Sequence, residues 1–478
     1  MTLSQELKSG VRDRTAARIA AAVLVSALLF GGATRFDVLA PAIPLLFGCV
    51  ALAVYSCASG RPRMGWLERL CWAGLIVLPL VQLVPLPPSI WRNLPGHGYA
   101  ADILDAIGSN PYLPLSLTPS RTLSSAVAFI PALAVYAWAR GLDERQRAML
   151  LYVLIGFISL SAILGFFQMA GGEGSRLRFY AITNRDAAVG FFSNANHFGV
   201  VAALVAPLAV HLGLIRLRAG YGGSYTPLFI GCSMAALLLG AAALSLSRSA
   251  LLAAAGAVIV IVLLILTQLQ LRSRMKIVVA LASGGAILGA SVLVAKAPAI
   301  AAIEESRSIG EDGRLALVPT FVEIIRDTLP LGTGFGSFDP VYRAYETFKE
   351  LDASYLNNAH NDLAQIIIEG GVPAILLLLA WLVLIVRRVL HSLTARADHA
   401  SVMERLSYPI AATFGLCAFL AHSLVDYPLR GAAASSIFAL LLALLVGRVA
   451  SERDADRLPD KAMRSDGNSR NRRNATHG

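Results

Sequence analysis

This chain is poor in charge, and acidic residues are the scarcer sign. Aspartate and glutamate number 30 in 478 residues, and charged residues of all kinds make up 15%. A water-soluble domain carries about a quarter of its residues as Asp, Glu, Lys and Arg, so a soluble globular protein is excluded. Strict alternation is also missing. The apolar stretches are continuous, which excludes a membrane-spanning β-barrel. Cysteine is rare, and all five (Cys49, Cys57, Cys71, Cys232 and Cys417) fall inside apolar stretches without CxxC spacing. That excludes a cysteine zinc site or disulfide framework and leaves them as small core residues. No metal-ligand spacing is present, so no metal is expected. The segment Gly332–Gly336 lacks the lysine and the strand–turn–helix setting of a phosphate-binding loop and reads as a tight turn, so no cofactor is expected.

What the chain does have is apolar length: 56% of its residues are hydrophobic and the mean hydropathy is +0.64. The pattern predicts an all-α polytopic membrane protein with about twelve transmembrane helices. They fall near residues 16–34, 38–58, 66–86, 121–139, 148–170, 197–215, 226–246, 249–271, 277–296, 363–386, 407–425 and 431–448. Most of the 41 lysines and arginines lie on the tails and on alternate loops, which carry Arg61, Arg63 and Arg69, Arg140 to Arg147, Arg216 and Arg218, Arg272 to Lys276, and Arg387 to Arg405. The positive-inside rule makes these loops and both termini cytoplasmic, and this topology accounts for the net charge of +11. Residues 1–15 form a cytoplasmic segment leading into a signal anchor, and residues 16–448 the membrane domain. Residues 449–478 are polar, arginine-bearing and without apolar periodicity, and are expected to be a disordered cytoplasmic tail rather than a nucleic-acid-binding arm.

The outer side keeps three long loops, 87–120, 171–196 and 297–362, the last being the large one before the tenth span. Within it, Leu315, Val318, Val322 and Ile325 fall on one helical stripe, which predicts a helix lying on the membrane or on the bundle. The same rule that fixes topology makes an outer arginine unfavourable, so each calls for a reason. Arg248 sits in a serine-flanked turn between two spans, Arg314 near the start of the amphipathic segment, and Arg185 before the sixth span. A guanidinium either anchors in the lipid headgroups or offers its planar fork to phosphate oxygens.

Residues 357–371 are denser in polar chemistry than any other stretch. His360, Asn361, Asp362, Gln365 and Glu369 stand where the chain leaves the long loop and enters an apolar run. Asp362, Gln365 and Glu369 share one helix face at i, i+3 and i+7. Glu369 lies about 13 Å along the helix from His360, at about 1.5 Å per residue, so its carboxylate needs a partner or a wet cavity. The imidazole of a histidine can take a proton from an attacking hydroxyl, which makes His360 a candidate base. His422 and Asp426, at i and i+4 in a second outer turn, are spaced to pair, as a brace or in support of the site.

These residues resemble the O-antigen ligase and polymerase superfamily of bacterial inner membranes, from about residue 120 to 446. The resemblance is carried by Gly190–Phe198 (which includes Asn194, Asn196 and His197), Ser247–Leu252 with Arg248, Gly313–Arg314, Pro330–Phe338, and Ala359–Asp362 with Glu369–Gly371. Ligases often carry a further glycine three residues after the position of Gly371, where this chain has Ala374. The resemblance implies a GT-C-like, metal-independent inverting glycosyltransferase without cofactors. Its donor would be a glycan on undecaprenyl diphosphate at the periplasmic face of the inner membrane. Its acceptor would be lipid A-core for a ligase, or another lipid-linked repeat for an O-antigen or exopolysaccharide polymerase. By the same resemblance His360, Arg248 and Arg314 are catalytic. We expect Arg185, Asn196, Asn361, Asp362, Glu369, His422 and Asp426 to bind substrate. A transporter is the competing class, and it would require internal repeats and broken helices near mid-membrane, neither of which is clear in the sequence.

Overall fold

A computed structural model describes residues 3–33, 40–58, 63–218, 224–268, 317–347, 356–394 and 402–446. Two helices open the chain, α1 (Leu3–Phe30) and α2 (Ala42–Cys57), followed by α3 (Trp66–Val81). A strap then holds two short helices, α4 (Pro88–Trp91) and α5 (Gly98–Ala106), and a two-stranded antiparallel ribbon, Pro85–Leu86 with Leu113–Pro114. Next come α6 (Pro119–Ala128), α7 (Ile130–Ala139), α8 (Glu144–Ala170), α9 (Ala195–Arg218), α10 (Thr226–Leu244) and α11 (Arg248–Gln268). Beyond the undescribed stretch lie α12 (Val318–Thr328), α13 (Phe338–Tyr345), α14 (Asp362–Thr394), α15 (Val402–His422) and α16 (Ala432–Leu444).

Helices coincide with each expected span except 277–296, which lies outside the described residues. Among the described residues, six are long and apolar enough to cross a membrane: 119–139, 144–170, 195–218, 226–244, 248–267 and 362–394. Shorter apolar helices occupy 15–30, 42–57, 408–422 and 432–444. The chain is an integral membrane protein. Its surface fits that solvent: Phe229, Leu252, Ile259, Leu376 and Leu382 are exposed along α10, α11 and α14, a display that water would not tolerate. The expected tail 449–478, residues 297–316 and 348–355 of the large loop, and the side chains of 1–14 lie outside the described residues. The backbone of α1 already begins at Leu3.

The core is built around α9. From Ala195 to Leu214 nearly every residue is buried, between α8, α10, α11 and α15. Small residues allow that crowding. A Cβ on Gly213 would stand 2.7 Å from the carbonyl of Pro227, and one on Gly231 would stand 2.6 Å from that of Ala209.

Two features depart from the sequence reading. First, α14 is broken. Gly371 has φ 58° and ψ −149°, inside what the apolar pattern predicts as one continuous helix. The loop 330–336 docks into the break. Val372 N donates to Pro330 O at 2.8 Å, while Thr333 N and Gly334 N donate to the carbonyls of Ile368 and Glu369. Gln82 adds a donation to the Glu369 carbonyl at 3.0 Å and accepts from Phe335 N at 3.0 Å. The orphaned backbone groups of the break are thus satisfied by protein. Gly332, Gly334 and Gly336 all have positive φ, so the segment is the tight turn its glycines predict. Second, α12 faces inward with Phe321 and Ile324, which pack on Phe338, Tyr342 and Ile368. Val318 and Val322, on the stripe expected to lie on the membrane or on the bundle, are exposed, while Ile325 packs against the same cluster. Leu315 lies outside the described residues.

At the end of the bundle opposite His360, Glu68 is 1% exposed and accepts from Arg140 at 3.0 Å, Arg388 at 2.5 Å, Gly65 N at 2.7 Å and the Tyr136 hydroxyl. One buried carboxylate therefore ties α3, α7 and the far end of α14.

Candidate active site

The site assembles where α9 begins, α14 begins and α15 ends. His360 precedes α14 in the left-handed region, with φ 48°. Non-glycine residues enter that region at a cost, and such conformers concentrate at functional positions. Its Nδ1 lies 3.1 Å from Asp426 Oδ1. Because the carboxylate accepts, Nδ1 carries the proton, and Nε2 keeps its lone pair for another partner. The His360 side chain is 21% exposed, while Asp426 is 1% exposed. The ring also meets Tyr427 edge-on, with centroids 5.0 Å apart.

Asp426 is the hub. Besides His360 it accepts from Asn196 Nδ2 at 2.9 Å and from Tyr427 N at 3.0 Å. His197 Nε2 stands 3.7 Å from Oδ1 and His422 Nε2 3.9 Å from Oδ2. Burial alone would raise the Asp426 pKa. The imidazoles of His197 and His360 outweigh it and hold the carboxyl well below the usual range.

A second hub lies one layer deeper. Arg430 Nε donates to Asp362 Oδ1 at 2.9 Å, and its Nη1 reaches Glu369 Oε2 at 3.3 Å. Glu369, fully buried, also accepts from Gln365 Nε2 at 2.9 Å and Phe338 N at 3.3 Å. The deep carboxylate thus has its partner, and the shared face of Asp362, Gln365 and Glu369 is a bracing face. Asp362 N also donates to Ser423 O at 2.8 Å, which fixes the 423–430 turn, and with it Asp426, against the start of α14. Asn361 caps that helix: its Oδ1 accepts from Ala364 N at 2.9 Å.

Arg248 opens α11 and is exposed. Its turn is pressed onto the start of α9. A Cβ on Gly199 would meet Ser245 Oγ at 2.1 Å and the Ala250 methyl at 2.6 Å, two residues past His197. Ser247 caps the helix through Ala250 N at 3.4 Å, and Leu246, with φ 52°, packs on Ala187, Val189 and Ala195. Arg185 is exposed in the adjoining loop. The Arg178 guanidinium organises that loop by donating to the carbonyls of Asn184, Arg185 and Ala187, and Asn184 Oδ1 accepts from Ala195 N at 2.9 Å. Arg314 lies outside the described residues.

Of the sequence-predicted residues, the structure brings His360, Asn196, His422 and Asp426 together, and places Asp362, Glu369 and Asn361 immediately behind them. Arg248 and Arg185 stand on segments that pack against the start of α9. Sequence reasoning missed Arg430 and His197. Arg430 is another arginine at the end of an expected span, and the positive-inside argument applied to Arg248 applies to it equally. His197 sits beside Asn196 in a stretch already singled out for its pattern.

A family model described as O-antigen ligase matches residues 233–379. The match covers α11, the loop 330–336, His360 and the first half of α14, and stops short of Asp426 and Arg430. No curated protein matches the chain.

Proposed function

We propose that this chain, which carries the O-antigen ligase domain of its superfamily at residues 233–379, is a glycosyltransferase of the outer leaflet that moves a lipid-linked glycan onto an acceptor sugar. A ligase- or polymerase-type activity on lipid-linked glycans within a membrane follows from the family. The donor we assign is a glycan on undecaprenyl diphosphate, and the acceptor a hydroxyl of lipid A-core or of a growing polysaccharide. Inner-membrane placement, with both termini cytoplasmic and the site periplasmic, rests on the alternation of basic loops.

The observation that carries the reading is a half-accessible His360 held at 3.1 Å by a buried Asp426. In the proposed step the acceptor oxygen attacks the anomeric carbon. The new C–O bond forms as the bond to the diphosphate breaks, and the hydroxyl proton passes to His360 Nε2. Asp426 fixes the ring and stabilises the imidazolium that results. The leaving diphosphate is already a good one, so it calls for charge neutralisation and positioning more than for an acid. Guanidinium groups supply both, and Arg248 and Arg314 take that role. A single displacement inverts the anomeric centre and needs no metal at the reacting atoms.

The test is reconstitution in lipid with undecaprenyl diphosphate-linked repeats, with and without lipid A-core. Product only when lipid A-core is present identifies a ligase. A ladder from donor alone identifies a polymerase. Donor left intact under both conditions contradicts the proposal and favours a transporter.

A further inference from the structure

We propose that His197, His422 and Asp426 form a buried zinc site behind the His360–Asp426 pair. The three residues come from the first turn of α9, the last residue of α15 and the turn that follows it, so linear spacing conceals the set. Their ligand atoms lie within 4.8 Å of one another. The two distances to the carboxylate, 3.7 and 3.9 Å, are too long for hydrogen bonds. They suit atoms that share one ion. With ligand bonds of about 2.0–2.1 Å, two ligands sit about 3.4 Å apart at the tetrahedral angle and up to about 4.1 Å apart when opened. Closing a pair that stands as far as 4.8 Å apart to the tetrahedral separation takes about 1.4 Å, which rotation of the two side chains supplies.

The setting of His197 points to the same place. Its side chain is 4% exposed, and its Nε2 faces the Asp426 carboxylate at 3.7 Å, beyond hydrogen-bond distance and with no other hydrogen-bond partner. A cation between the two would take the imidazole lone pair and the carboxylate charge together. Two imidazoles with one carboxylate are a zinc-type donor set, whereas magnesium and calcium demand oxygen. The outer shell is present: Asn196 Nδ2 and His360 Nδ1 both donate to Asp426 and orient its oxygens. At 4%, 2% and 1% side-chain exposure the ligands are out of a substrate's reach, so the ion would brace the fold and not meet the substrate. It would join the start of α9 to the 423–426 turn and stiffen the carboxylate that holds His360.

This inference stands apart from the transferase reading, because metal content is measured on the protein itself. The full chain, purified in lipid without a polyhistidine tag, is expected to carry about one zinc ion per molecule by mass spectrometry. H197Q and H422Q should each lose it, while H360Q keeps it. Wild type without zinc that also takes up none on titration overturns the proposal, as does equal zinc in H197Q and H422Q, which marks an adventitious ion only. Should those variants fail to fold, cobalt exchange into the wild type decides: visible ligand-field bands from a low-symmetry nitrogen–oxygen site support it, and their absence refutes it.

Discussion

His360 draws its chemistry from a residue 66 positions further along the chain. The histidine was legible in the sequence because polar residues crowd a membrane entry there. Its orienting partner was legible only as a member of an i, i+4 pair with His422. The structure shows that Asp426 serves His360 at 3.1 Å and His422 at 3.9 Å, so the nearer contact is the long-range one. Asp426→Asn keeps the size and removes the charge. It should lower turnover on the order of a hundredfold while leaving donor affinity near wild type, as steady-state kinetics will read. Arg248→Lys keeps the charge and loses the fork, and a loss of roughly a hundredfold in turnover is expected; an unchanged rate returns Arg248 to the headgroup anchors. Arg430→Met strands Asp362 and Glu369, both buried carboxylates. Breaking such a set costs about 3–5 kcal/mol, so a markedly lower melting temperature in detergent should accompany any loss of activity.

At the scale of elements, apolar periodicity located the helices well and their interruptions poorly. A run of isoleucines and leucines around Glu369-Gly370-Gly371 reads as one span, because glycine pairs occur in membrane helices without breaking them. Here the docking of 330–336 decides: it supplies the donors and acceptors that a broken helix needs, and those partners lie 35 to 42 residues upstream, beyond any local pattern. The broken helix that a transporter reading requires is therefore present, yet it is plugged by protein rather than lining a path. Periodicity alone left open whether the stripe of α12 lies on the membrane or on the bundle, and the bundle contact is made mainly by Phe321 and Ile324 on an equally apolar face. Gly371→Ala should be destabilising. At φ 58° and ψ −149° the backbone lies where essentially only glycine goes, which costs an alanine on the order of 1–3 kcal/mol before its methyl meets the Pro330 carbonyl, which an added Cβ would approach to 2.2 Å. Thermal melting of the variant against wild type checks this, and an unchanged midpoint would show that the loop is not locked into the break.

Across the whole molecule, two polar clusters stand at opposite ends of α14: the histidine–aspartate hub near Asp362 and the Glu68 knot at Arg388. The basic residues of the second were read from sequence as topology markers, and Arg140 and Arg388 are in addition ligands of one buried carboxylate. If the assigned sidedness holds, a cysteine-free protein carrying Glu173→Cys in the exposed loop after α8 will label with an impermeant thiol reagent from the periplasm. One carrying Arg145→Cys at the other end of α8 will not. The reverse pattern would place the site in the cytoplasm and remove the outer-leaflet reading. The central claim, that His360 is the base of an outer-leaflet glycan transfer, is tested most directly by His360→Ala assayed beside wild type with lipid-linked donor and acceptor, after both are shown to share one melting profile. The account predicts that product formation disappears while the protein stays inserted and folded; turnover at the wild-type rate would contradict it.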